Sequence, residues 1–172
     1  MRSLAEIGAL VEKAARGAGY PHGVAADFGT AAKIHLGSGG DAAAITAALR
    51  EEPTKVDLDW QAEALIIHAG PMILIGPVAQ DAFGMGCNEI VLDDAGHVPL
   101  LQAYLSAAGY GSSAERNMIT HTKEPAAAPA PGPVAVPEAH WQAWEALAAE
   151  TFVPESAASR SAGAGAGLTD ND

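Results

Sequence analysis

Asp93, Asp94 and His97 follow directly on the apolar run Glu89-Ile90-Val91-Leu92, and their types and spacing suit them best for chemistry in this chain. A carboxylate beside an imidazole can orient the ring and share its proton, which is what general acid–base catalysis needs. Ligands of parallel sheets gather at the C-terminal ends of strands, and a strand over 89–92 would put these three residues there. The alternative is structural: Asp93-Asp94-Ala95-Gly96 is also turn chemistry, or the cap of the next helix, with His97 in solvent.

Other chemistries have less support. Cys87, the single cysteine, lies in Gly84-Met85-Gly86-Cys87-Asn88. As a nucleophile it would need a base and an orienting group, for which His97 and Asp94 are the available pair. The surroundings of known cysteine enzymes are missing, and a lone Cys beside a strand reads better as a small buried hydrophobe. His22, His35, His68, His97, His121 and His140 form no pair at metal-motif spacing, so no metal and no cofactor is expected. Gly84-x-Gly86 precedes a strand instead of following one, and Gly163-x-Gly165-x-Gly167 lacks the dinucleotide spacing. The latter could still lay backbone N–H groups around an anion, with Ser159 and Arg160 beside it as ligand-binding residues.

The elements that must position these residues are marked locally. Ser3-Leu4-Ala5-Glu6 is a capping box, and Leu4, Ile7, Leu10, Val11, Ala14 and Ala15 fall on one helical face before Gly17 and Gly19 stop the helix. Tyr20-Pro21-His22-Gly23 is a turn. A second helix with Val24, Phe28, Ala31 and Ala32 ends at Gly37-Ser38-Gly39-Gly40, and Asp41 caps a third that carries Ile45, Ala48 and Leu49. Past Pro53 the pattern changes. Leu65-Ile66-Ile67 reads as a strand or as the end of a helix begun at Asp59, and Met72-Ile73-Leu74-Ile75 as a strand buried on both faces. Residues 77–83 suggest a helical turn, 89–92 a strand and 100–108 a helix closed by Gly109. Strand direction stays open, because residues 92–98 could form a hairpin. The fold class is α/β or α+β, a small sheet from the central segments packed by N-terminal and C-terminal helices.

The domain reading is a compact unit over 1–122, a Pro/Ala linker over 123–137, a docking helix over 138–154 and a Gly-rich acidic tail over 155–172. Trp141, Trp144, Leu147 and Ala148 line one face of that helix, so Trp141 and Trp144 are the expected interface residues, against the chain's own domain or a partner subunit.

Composition narrows the partners. A net charge of −12, with Lys and Arg totalling 9 and unclustered, excludes nucleic acid and disfavours anionic membrane surfaces. The N-terminus is a poor signal peptide and the most apolar region, 64–79, is broken by His68, Gly70, Pro71, Gly76 and Pro77, so a cytoplasmic protein without a membrane span is expected.

Ala5-Glu6-Ile7-Gly8-Ala9-Leu10 and Lys13-Ala14-Ala15-Arg16-Gly17-Ala18-Gly19-Tyr20-Pro21 resemble the opening of a bacterial family, domain of unknown function 3726. Leu147-Ala148-Ala149-Glu150-Thr151-Phe152-Val153-Pro154, Ser159-Arg160 and the terminal Gly163–Asp172 stretch resemble its close, together about a fifth of the chain. The chain departs from the family in having His22 where a Trp usually follows the turn proline. The resemblance implies that the Gly-rich tail is a family feature, and it implies no catalytic residues. The expected function is binding of a small molecule, or an accessory role as a self-associating protein or partner enzyme subunit. The rival is a small metal-free enzyme using Asp/His acid–base chemistry.

Overall fold

In the computed structural model, residues 1–94 and 97–151 are described; among them are six helices and one five-stranded mixed sheet. The chain runs α1 (Leu4–Gly17), α2 (His22–Gly37), α3 (Ala42–Leu49), β1 (Asp57–Trp60), β2 (Ala64–Ala69), α4 (Met72–Gly84), β3 (Glu89–Leu92), α5 (Val98–Ala107), β4 (Gly111–Glu115), β5 (Met118–Thr122) and α6 (Glu138–Ala149). The α/β class expected above is the one observed.

The helix starts form as their caps require. Ser3 Oγ accepts the Glu6 N–H at 3.2 Å, while Glu6 Oε2 accepts the Ser3 N–H at 2.8 Å. Asp41 Oδ1 accepts the Ala43 N–H at 2.9 Å and opens α3. α1 and α2 approach closely because Gly8 faces Gly29: a Cβ on Gly29 would come within 2.6 Å of the Gly8 carbonyl.

The sheet order is β1-β2-β3-β5-β4. β2 and β3 are parallel and every other neighbouring pair is antiparallel, so β2-α4-β3 is a crossover unit and the question of strand direction is settled. The segment after Leu92 leads into α5, not back along a hairpin. Leu65, Ile67, Ile90, Leu92 and Ile119 are buried toward α4 and α5, which pack on each other and on this face. Ile66, Val91 and Met118, one register row on the opposite face, stay partly exposed.

The expectation of a strand at Met72-Ile73-Leu74-Ile75 is corrected: these residues are the first turn of α4. The apolar run continues at helical spacing, with Met72, Ile75, Gly76, Ala79, Ala82 and Phe83 buried. Pro77 inside the helix supplies no N–H for the Ile73 carbonyl, and the hydroxyl of Tyr104 on α5 donates to that oxygen at 3.4 Å. Gly76 makes room for the same ring, since a Cβ there would collide with it. The strands β1, β4 and β5 have no strong apolar signature; Ile119 is the single fully buried residue of β5.

α6 shares the common core instead of forming a separate unit. Trp144 is fully buried and its Nε1–H donates to Thr46 Oγ1 on α3 at 2.9 Å, an oxygen that also lies 2.8 Å from His140 Nδ1. Trp141 is also buried, and the Arg2 guanidinium lies over its ring at 4.1 Å. The two tryptophans expected at an interface therefore seal α6 to its own domain. Residues 123–137 form no helix and only one isolated bridge, and they are fastened: Arg2 and Val134 exchange both backbone hydrogen bonds at 2.8 Å, and Pro129 packs where a Cβ on Gly37 would stand. Ser159, Arg160 and the tail lie outside the described residues.

Candidate functional site

Parallel register builds the site. Ile66 pairs with Val91 and Ile67 with Leu92, so the next residues in line, His68 and Asp93, emerge side by side at the strand ends. On its other side β2 pairs with β1 irregularly: Leu58 faces Ile67 and Asp57 faces Ala69, which leaves His68 opposite a bulge. Bulges re-aim side chains in this way. Nδ1 of His68 lies 2.9 Å from Asp93 Oδ2, and Nε2 lies 3.2 Å from Asp59 Oδ2. A ring that donates from both nitrogens is the imidazolium. The hydrogen bond to Asp93, followed by that to Asp59, accordingly raises the His68 pKa above its ordinary value.

The second couple is assembled from more distant elements. Glu51, just past the end of α3, places Oε1 3.3 Å from His97 Nε2, while its Oε2 accepts the Met72 N–H at 2.6 Å and so caps α4. A carboxylate at that position meets both a free backbone donor and the positive end of the helix dipole. The Glu51 backbone carbonyl accepts from the Tyr20 hydroxyl at 2.7 Å. Burial, assisted by the Glu51 charge, pushes the Tyr20 phenol up to about 12. His97 is raised chiefly by its hydrogen bond to Glu51; partial burial opposes this, and the charges of Glu51 and Asp94 reinforce it.

Both couples border one cleft of about 260 Å³, whose walls include Glu51, His68, Gly70, Asp94 and His97 and whose apolar residues are Ile67, Ala69, Ile75 and Leu92. No family model, curated protein or solved structure matches the chain.

Of the residues that the sequence singled out, Asp94 and His97 line the cleft, while Asp93 stands behind its wall. Asp93 is bonded to His68, and His97 to Glu51. Glu51, Asp59 and His68 carry no local motif. His68 had one readable signal, being the first polar residue after Ile66-Ile67, as Asp93 is after Val91-Leu92. Cys87 lies before β3, at the opposite end of that strand from Asp93, and its thiol donates to the carbonyls of Glu89 at 3.0 Å and Glu63 at 3.3 Å. That is a packed structural cysteine, away from His97. Among the described residues, no group of three or more His, Cys, Asp or Glu is arranged to hold a metal ion, and no helix is long and apolar enough to cross a membrane.

A larger groove, about 920 Å³, runs between the end of α2, the start of α3, α5, β4 and residues 124–127. Its polar side chains serve local structure: His35 Nε2 meets the Asp41 carbonyl at 3.2 Å, Asp41 caps α3, and Thr122 donates to the Glu124 carbonyl at 3.1 Å. Among the described residues it contains no imidazole–carboxylate couple, so size and chemistry point to different places, and the smaller cleft is the candidate site.

Proposed function

We propose that the cleft at the ends of β2 and β3 performs acid–base chemistry on a small molecule, with His97 as the proton-transferring group. Glu51 holds Nε2–H, which fixes the ring and leaves Nδ1 as the position that exchanges a proton with a ligand. Asp94 adds negative charge beside the ring, and the Asp93–His68–Asp59 bridge ties three strands together at the cleft wall. The observation that carries this reading is the 3.3 Å contact of His97 Nε2 with Glu51 Oε1 in a cleft shared with a second imidazole–carboxylate couple. Couples whose pKa values are displaced by specific partners are the usual material of such sites.

The test is a melting-temperature screen against a metabolite library with the parent protein and His97→Gln. A ligand at a hundred times its dissociation constant stabilises by roughly 2.7 kcal/mol. The proposal expects at least one compound to stabilise the parent and to be turned over, with turnover lost in His97→Gln. Hits that bind and react equally well in the variant would refute it.

A second reading, a self-associating accessory protein, draws support from the partly exposed sheet face. Ile66, Val91 and Met118 form a row there, and Trp60 and Met85 are 50% and 69% exposed elsewhere on the surface. Sedimentation at rising concentration tests it, and a strict monomer would remove it. Kinship with the domain of unknown function 3726 family, resting on the terminal segments, is a further proposal, as is the cytoplasmic location expected from the interrupted apolar region 64–79.

A further inference from the structure

The acid–base reading leaves the ligand's chemistry open, and the cleft constrains it. Among the described residues its side-chain hydrogen-bond donors are committed apart from His97 Nδ1, which donates only when the ring is protonated and accepts when it is neutral. Both nitrogens of His68 are taken by Asp93 and Asp59, Nε2 of His97 by Glu51, and the Met72 N–H by the same Glu51 carboxylate. Among the described residues the lining includes no Lys or Arg. Each carboxylate oxygen offers two acceptor positions, so acceptor capacity outlasts donor capacity. Charge points the same way: Glu51 and Asp94 line the cleft with His68 and His97, and Asp93 and Asp59 stand behind the wall on His68, so the whole group stays negative even with both rings protonated. An anion would find few donors and a repulsive field, whereas a donor-bearing cation would find the remaining acceptor positions of the Glu51 carboxylate and a negative surround. Ile67, Ile75 and Leu92 supply an apolar wall, and 260 Å³ lies just below the usual range for pockets that hold drug-sized ligands, about 300–1,000 Å³.

We infer that this cleft takes a short aliphatic molecule ending in a nitrogen cation, an amine, amidine or guanidine, and discriminates against carboxylates and phosphates. The inference rests on the acid–base reading for its location and on the spent donors for its sign.

The experiment titrates the full chain with n-butylammonium and with butyrate, probes matched in chain length and opposite in charge, following the histidine ring signals by NMR at pH 7. Butylammonium should move the His97 and His68 signals to saturation, with a Kd at least about tenfold below that of butyrate. Glu51→Gln and Asp94→Asn should each weaken butylammonium by roughly tenfold. Asp94→Asn leaves the α4 cap in place, so a folding defect in Glu51→Gln would not obscure the result. Butyrate binding as tightly as butylammonium, or more tightly, with His97 shifts would overturn the cationic class while leaving the acid–base site standing. If neither probe moves either ring, the inference also fails, and loss of the site itself is then read separately from the metabolite screen of His97→Gln.

Discussion

Nδ1 of His68 lies 2.9 Å from Oδ2 of Asp93, although the two residues stand 25 positions apart in the chain. The contact exists because β2 and β3 are parallel neighbours in a register that brings their first polar residues level. With Asp59 on the other nitrogen, the edge strand β1 is tied to both central strands through one ring.

That bridge should titrate. The His68 pKa is raised above 6.5, so the bridge contributes stability in full below the unfolded value of about 6.5 and loses it as pH rises through the higher folded value. NMR titration of the ring should place its midpoint above 6.5 in the parent protein, and Asp93→Asn should move it down. A midpoint at or below 6.5 in the parent would mean that the two carboxylates do not hold the ring in solution.

Glu51 serves His97 and α4 at once. Glu51→Gln keeps an acceptor for the Met72 N–H but removes the charge facing both the helix start and the imidazole. The expected cost is about 0.5–1 kcal/mol in urea unfolding, with a fall in the His97 pKa. Glu51→Ala should cost more, because the Met72 donor then loses its side-chain partner altogether. Equal losses in the two variants would argue against the cap.

Tyr104 stands in for the backbone donor that Pro77 lacks. Tyr104→Phe should destabilise by about 1–2 kcal/mol through the unsatisfied Ile73 carbonyl. In a Pro77→Ala background the helix regains an N–H for that oxygen, and the same Tyr104→Phe change should cost less. A double-mutant cycle measures the coupling directly, and strict additivity would refute the substitution of one donor for the other.

Trp144 is the keystone of α6. Trp144→Ala should cost about 3–5 kcal/mol, a large share of a typical domain's stability of roughly 5–15 kcal/mol. Iodide should quench chiefly the fluorescence of Trp60, which is 50% exposed, and Trp60→Phe should remove the quenchable fraction. Strong quenching that survives Trp60→Phe would show that α6 does not stay docked.

Local chemistry decided what the sequence could determine by itself. The capping box at Ser3 and Glu6, the Asp41 cap, the stops at Gly19 and Gly109 and the amphipathic pattern of 138–149 all act within a few residues of their cause, so they are readable without coordinates. The acid–base candidates Asp93, Asp94 and His97 were legible for the same reason, as polar residues after an apolar run. Tertiary structure decided their partners. Met72-Ile73-Leu74-Ile75 suits strand or helix equally until a parallel crossover requires a helix between β2 and β3 and Glu51 caps its first turn. Whether His68 or His97 receives Asp93 depends on which strands are neighbours, in which direction and register, and short-range propensity carries none of that. Glu51 reaches His97 only because Tyr20, α3 and the start of α4 meet at one point, a long-range packing outcome without a local signature.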